Sequence, residues 1–353
     1  MADLFENPIG TNGFEFIEFT GKDIPLLEKL MDDFGFTAVA RHKTRNITLY
    51  QQKDIKFLLN RETDGQSGVF AAEHNGGASA MAFRVKNAAT AYTEAEKRGA
   101  EIVSAKEHGG SMAIPAIKGI GGTLLYLIES ETIYDTDFEG LAIAGEGVGL
   151  TYIDHLTHNV HRGNMDKWAK FYESIFNFRE IRYFDIEGKL TGLKSRAMTS
   201  PCGNIRIPLN ESSDDKSQIE EFLRRFNGEG IQHIALGTDD IFKTVEMMAA
   251  RGVPFQKTPA TYYEKTNARV PGHNEDLAEL QRLNILVDGA PTEGQGLLLQ
   301  IFTQDEIGPV FFEIIQRKGN EGFGEGNFQA LFESIELDQI RRGVLEDKVA
   351  AAE

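Results

Sequence analysis

Tyr152-Ile153-Asp154-His155-Leu156-Thr157-His158 reads as a strand, and a helix follows it from Trp168 to Phe178. In that helix Trp168, Phe171, Tyr172 and Ile175 fall at i, i+3, i+4 and i+7, an apolar stripe suited to lying on a sheet. The same pair of elements stands once before in the chain. Gly13-Phe14-Glu15-Phe16-Ile17-Glu18-Phe19 is the earlier strand, and the stretch from Leu26 to Gly35 is its helix. Internal repetition of this kind governs everything else in a fold, so the rest of the chain is read against it.

Two further blocks repeat. Ser79-Ala80-Met81-Ala82-Phe83 leads into a helix that stops at Lys97-Arg98-Gly99, and Gln232-His233-Ile234-Ala235-Leu236 leads into one that stops at Arg251-Gly252. Asp239 or Asp240 opens the later helix, because a short acidic side chain can accept from the free N–H groups there, and glycine tolerates the left-handed residue after a helix end. A closing strand, Thr123-Leu124-Leu125-Tyr126-Leu127-Ile128-Glu129, matches Val310-Phe311-Phe312-Glu313-Ile314-Ile315-Gln316. The repeat predicts an α+β chain of two domains, 1–150 and 151–353, each built from two modules of the β-α-β-β type. The seam falls at Gly145-Glu146-Gly147-Val148-Gly149, where three glycines in five residues interrupt any apolar period. After a glycine-rich run from Gly319 to Gly326, Phe328, Leu331, Phe332 and Ile335 again take helical spacing, and a helix on such a hinge is placed to close over a pocket.

Composition narrows the function. The chain has 353 residues with 54 acidic and 37 basic side chains, a net charge of -17 that repels phosphate backbones and anionic bilayers. Nucleic acid and membrane partners are therefore not expected. No basic leader precedes an apolar run at the start, and no segment approaches the roughly 20 apolar residues that span a bilayer. The cytoplasm is the expected location, in keeping with a single cysteine, Cys202, set in the turn-like Ser200-Pro201-Cys202-Gly203.

Laid over one another, the repeats differ where chemistry is expected. His155 stands at the position of Phe16, His233 at that of Ala80, and Glu313 at that of Tyr126. Two imidazoles and a carboxylate from three strands make a facial triad, which leaves coordination positions open on Fe(II) for substrate and oxygen. Strand alternation puts Glu313 on one face with Phe311 and Ile315, and a carboxylate among apolar neighbours calls for a cation. The competing reading is a solvated strand with Glu313 turned outward. His158 falls on the opposite face to His155, and His161 lies about 20 Å along an extended strand at ~3.3 Å per residue, so neither shares the metal. Gln300 shares a face with Leu298 and Phe302, and its amide takes its partners from a bound substrate or from neighbouring backbone.

These motifs resemble one known family. Ile153-Asp154-His155-Leu156-Thr157-His158-Asn159-Val160, Phe226-Asn227-Gly228-Glu229-Gly230-Ile231-Gln232-His233, Leu298-Leu299-Gln300-Ile301-Phe302, Phe312-Glu313-Ile314-Ile315-Gln316-Arg317 and Gly322-Phe323-Gly324-Glu325-Gly326-Asn327-Phe328 are similar to stretches of the bacterial 4-hydroxyphenylpyruvate dioxygenases. The resemblance covers essentially the whole chain. It implies the vicinal oxygen chelate fold, with two βαβββ modules per domain forming an open barrel-like sheet and a C-terminal helix over the active site. The family's iron ligands fall on His155, His233 and Glu313. Its catalytic and substrate contacts carry over onto Ser195, Asn210, Gln218, Gln232 and Gln300, with Pro208 and Asn327 beside them. Phe302, Phe311, Phe323 and Phe328 match the aromatic wall.

The implied reaction takes 4-hydroxyphenylpyruvate and O2 to homogentisate and CO2 in tyrosine and phenylalanine catabolism. One Fe(II) per subunit is implied, and the substrate supplies its own 2-oxo acid, so no 2-oxoglutarate is needed. A homo-oligomer, dimer or tetramer, is expected. Two alternatives stay open at the sequence level: 4-hydroxymandelate synthase, which uses the same substrate and metal, and a metal-free binding protein of the same fold.

Overall fold

The computed structural model describes residues 3–142, 145–187 and 192–331. Nine strands form the first sheet: β1 Thr11–Gly21, β2 Thr37–His42, β3 Ile47–Gln52, β4 Ile55–Asn60, β5 Gly76–Val85, β6 Ile102–Val103, β7 Ala116–Lys118, β8 Leu124–Ile128 and β9 Phe138–Gly140. Eight form the second: β10 Leu150–Val160, β11 Arg179–Glu187, β12 Gly192–Thr199, β13 Arg206–Ser212, β14 Gly230–Thr238, β15 Leu286–Gly289, β16 Leu297–Phe302 and β17 Phe311–Lys318.

The sheet orders show the repeat. The first runs β6-β7-β8-β5-β1-β4-β3-β2-β9, and the second, read from β15, runs β15-β16-β17-β14-β10-β13-β12-β11. Every strand from β1 to β8 reappears nine places later in the same spatial position, and only β9 has no counterpart. Both sheets are mixed: β1 pairs parallel with β4, β5 with β8, and β10 with β13, among antiparallel neighbours. Each half is thus a pair of βαβββ modules, as the repeated blocks predict.

The predicted helix boundaries have the expected local causes. Helix Met165–Phe176 buries Trp168, Tyr172 and Ile175 and stops at Asn177, which takes the left-handed conformation at φ 56°. It therefore ends two residues before Phe178. Helix Ala88–Lys97 is capped by the Asn87 side chain, which accepts from Thr90 N–H, and Gly99 follows at φ 92°. Asp240, rather than Asp239, caps helix Ile241–Ala250 by accepting from Lys243 N–H at 3.1 Å. Gly203 donates its N–H to Ser200 O at 2.9 Å, closing the turn around Cys202.

The glycine-rich seam is held rather than loose. The Gln52 side-chain oxygen accepts from the N–H groups of Val148, Gly149 and Leu150 at 2.7, 3.1 and 3.2 Å. Its amide nitrogen donates to Phe34 O at 2.9 Å. By compactness the chain divides elsewhere, into Met1–Leu236 with Asp305–Phe312 and Gly237–Gln304 with Glu313–Glu353, a division that cuts through β14 and β17. A helix begins at residue 325 and is described through 331, so Phe332 and Ile335 lie outside the described residues. No described helix is long and apolar enough to cross a membrane.

Candidate metal centre

In the first sheet the three aligned positions carry no imidazole or carboxylate. Phe16, Ala80 and Tyr126 belong to one buried core cluster, and the Phe16 and Tyr126 rings lie 5.8 Å apart. The second sheet puts His155 on β10, His233 on β14 and Glu313 on β17. His155 and Glu313 are each 2 % exposed, which excludes an outward-facing carboxylate. Among the described residues these three form the group able to hold a metal, and one ligand atom from each lies within 4.8 Å of the others. One ion bonded at roughly 2.0–2.2 Å draws such a set together with small side-chain rotations.

Each imidazole is oriented by the residue just before it. His155 Nδ1 donates to Asp154 Oδ1 at 2.8 Å, and His233 Nδ1 donates to Gln232 Oε1 at 2.9 Å. A carboxylate only accepts, so the proton sits on Nδ1 of His155 and makes Nε2 the ligating nitrogen. Arg206 stands 3.6 Å from Asp154 Oδ2, a cation beside that buried carboxylate. The His155 and His233 ring centroids are 5.5 Å apart, nearly perpendicular at 77°. Thr157 Oγ1, two residues on from His155, lies 3.0 Å from His233 Nε2. Phe311 stacks on the His233 ring at 4.9 Å.

Glu313 is held from the neighbouring strand. Gln300 Nε2 donates to Glu313 Oε1 at 3.0 Å, and Asn327 Nδ2 donates to Gln300 Oε1 at 2.8 Å. The Gln300 amide therefore takes its partners from two side chains, a third solution beside substrate and backbone. Asn327 Oδ1 in turn accepts from Tyr262 OH at 2.5 Å and Arg269 at 3.2 Å, which sets Asn327 behind Gln300. Gly324, at φ 78°, passes so close to the Gln300 amide that a β-carbon there would collide with it.

His158 behaves as its strand parity requires. Its Nε2 meets Tyr172 OH at 2.7 Å on the helix-covered side, and complete burial pushes its pKa down to about 3, so it is neutral. Ser195 and Asn210 face each other in register across β12 and β13, both half-buried, with buried Pro208 two residues before Asn210. Phe302 sits opposite Glu313 in the β16–β17 ladder. Phe323 packs its ring 5.9 Å from the Arg317 guanidinium, and Phe328 lies half-buried in the first turn of the helix from 325. Gln218 is exposed, at the first position of helix Gln218–Phe226.

Gln232, Gln300 and Asn327 were named through the resemblance, but as catalytic and substrate contacts rather than as partners of the ligands, and Asp154, Thr157, Tyr262 and Arg269 were not singled out. Asp154 and Gln232 carry a legible signal, an oxygen-bearing residue immediately before each histidine. Thr157 also had one, since it shares the face of His155. Nothing in the sequence pattern ties Tyr262 or Arg269 to the centre, because their bonds depend on the path of a helix, Ala260–Arg269, that has no counterpart in the first half.

Comparison with known proteins agrees with the geometry. Residues 5–139 match the family model described as hydroxyphenylpyruvate dioxygenase, N-terminal, and residues 152–275 match the glyoxalase/bleomycin resistance protein/dioxygenase superfamily. A 4-hydroxyphenylpyruvate dioxygenase of Pseudomonas aeruginosa is 60 % identical over 96 % of this chain and 97 % of its own. One from Legionella pneumophila is 54 % identical over 97 % of this chain and 98 % of its own. Among solved structures, a mutant 4-hydroxymandelate synthase from Streptomyces coelicolor superposes with a TM-score of 0.79 at 25 % identity, covering 93 % of this chain and 99 % of its own. By sequence, fold and the positions of its two histidines and glutamate, the chain belongs to the 4-hydroxyphenylpyruvate dioxygenase family of non-haem iron dioxygenases, within the vicinal oxygen chelate superfamily.

Proposed function

We propose that this enzyme converts 4-hydroxyphenylpyruvate and O2 to homogentisate and CO2, with one Fe(II) per subunit held by His155, His233 and Glu313. The observation that carries the reading is the buried triad with the proton of its histidine fixed on Nδ1. When bound, ferrous iron supplies oxygen activation and the Lewis acidity that polarises a 2-oxo acid. The two histidines and the glutamate supply three ligands only, which leaves room for a bidentate 2-oxo acid and dioxygen. No separate 2-oxoglutarate is then required, because the substrate brings that group itself.

The remaining side chains orient and shield. Asp154 and Gln232 hold the imidazole rings in the ligating tautomer, and Gln300 fixes one oxygen of Glu313 so that the other is presented to the ion. Phe311 covers one face of the His233 ring, and Phe302, Phe323 and Phe328 supply aromatic surface for a substrate ring. Ser195 and Asn210 supply hydrogen-bonding groups for its phenol end. Sixty per cent identity to a dioxygenase, against 25 % to a mandelate synthase, favours ring hydroxylation over benzylic hydroxylation. A cytoplasmic location and a homo-oligomer, dimer or tetramer, belong to the same reading; exposed Ile181 and Tyr183 on the edge strand β11 give such an assembly an apolar surface.

The test is product analysis on purified protein supplied with Fe(II), 4-hydroxyphenylpyruvate and oxygen. Homogentisate formed with one CO2 released per O2 consumed supports the proposal. Hydroxymandelate as product transfers the chain to the alternative activity. No oxygen uptake and no iron bound would make it a binding protein.

A further inference from the structure

Residues of β10 alternate between two faces, and the contacts identify them. His158 meets Tyr172 of helix Met165–Phe176, while Thr157 meets His233, so odd-numbered residues face the metal side. Asn159 is the next odd residue. It is 0 % exposed, and neither its Nδ2 nor its Oδ1 has a hydrogen-bond partner. Buried amides in native proteins are nearly always paired, and an unmet one costs on the order of 1–3 kcal/mol per group. A protein keeps such a group where something other than the fold fills its bonds.

Its neighbours indicate what that is. Asn159 stands in register with Asn210 on the parallel strand β13, and Asn210 stands in register with Ser195 on β12. Three small polar side chains thus form one row across three strands, about 13 Å along β10 from His155 at ~3.3 Å per residue. Beyond the row, Ser212 Oγ donates to Glu220 of helix Gln218–Phe226, so that helix closes this face of the sheet. The row lies on the face of β10 that also carries His155 and Thr157, so polar groups and metal ligands share one side of the sheet.

We propose that Asn159 is a specificity-determining residue for the hydrogen-bonding end of the substrate, its amide both accepting from and donating to a hydroxyl borne on an aromatic ring. A hydroxyl is the one small group that fills an acceptor and a donor position together. The inference rests on the function proposed above and adds the residue that tells a hydroxylated aromatic 2-oxo acid from one without the hydroxyl.

The experiment pairs stability with equilibrium binding. Asn159→Leu keeps the volume and removes the unmet amide, so the ligand-free variant should be at least as stable as the parent in urea unfolding. Binding is then measured without oxygen on the Co(II)-loaded protein, with 4-hydroxyphenylpyruvate and phenylpyruvate as probes. The parent should prefer the hydroxylated acid by roughly tenfold or more, and Asn159→Leu should lose that preference while binding phenylpyruvate within about threefold of the parent. Asn159→Ser, which keeps a hydrogen-bonding group, provides a second variant if leucine does not fold, and it should retain part of the preference.

Preserved discrimination in both variants, or equal weakening toward both acids, overturns the assignment. So does strong destabilisation by leucine, which would mean that the fold itself satisfies the amide. If the parent binds neither acid, the proposed function fails first, and the two failures are distinguishable.

Discussion

Two imidazoles in this chain are each steered by the residue directly before them in sequence, which is an unusual economy. Neighbours on a strand point to opposite faces, so Asp154 must reach around its own backbone to accept from His155 Nδ1 at 2.8 Å. Arg206 stands 3.6 Å from the other carboxylate oxygen. Removing that acceptor frees the ring to rotate and lets the proton move to Nε2, where it blocks ligation. Asp154→Ala should therefore weaken metal affinity by about 10- to 100-fold with the sheet intact, as loss of a partner to a metal-bound histidine generally does. Titration against a competing chelator reads this directly; an unchanged dissociation constant would show that Asp154 serves only Arg206. The three ligands were legible because the repeat supplied its own control, Phe16, Ala80 and Tyr126, none of which offers an imidazole or a carboxylate. The roles of Asn327 and Tyr262 were not, because a hydrogen bond between residues 65 positions apart leaves no period in the sequence.

Elements carry the repeat further than residues do. The strand order of the second sheet follows from that of the first by adding nine, although few side chains are shared. What persists is the module: a strand, a helix with a left-handed stop and, in three of the four, an Asx side-chain cap, then three strands. Periods of 2 and 3.6 and the capping residues are local properties, so the sequence announced them. The helices Ala260–Arg269 and Leu277–Leu283 escaped notice because they are additions to the later module. At the glycine-rich seam the bonding that holds the chain was not legible: Gln52, only 6 % exposed, ties three successive N–H groups there with one oxygen. Gln52→Leu would strand those donors and should cost about 2–4 kcal/mol, seen as a lower urea midpoint with an unchanged slope. A midpoint within error of the parent would mean that water replaces the amide without loss.

For the molecule as a whole, acidity is the dominant electrostatic fact, and one carboxylate shows its consequence for stability. Glu306 is half-buried; burial is the main cause raising its pKa from 4.5 to about 7, with Asp33 and Asp305 adding repulsion and Lys29 opposing it. Among the described residues its Oε1 has no hydrogen-bond partner, so the charged form has only the Lys29 ammonium in its favour against burial and two carboxylates. The folded state therefore holds this proton more tightly than the unfolded chain does. Between about pH 4.5 and 7 the native protein binds more protons than the unfolded one, and stability falls as pH rises through that window. The contribution is fully present below the unfolded value and is gone above the folded one. Glu306→Gln removes the titration while keeping the shape. After allowance for solvent screening of a partly exposed group, the variant should gain roughly 1 kcal/mol over the parent at pH 8 and nothing at pH 4. Urea unfolding at the two pH values measures the difference. A gain of equal size at both would assign the effect to packing, whereas a gain confined to the higher pH identifies it as the energy of keeping a charge half-buried between two other carboxylates.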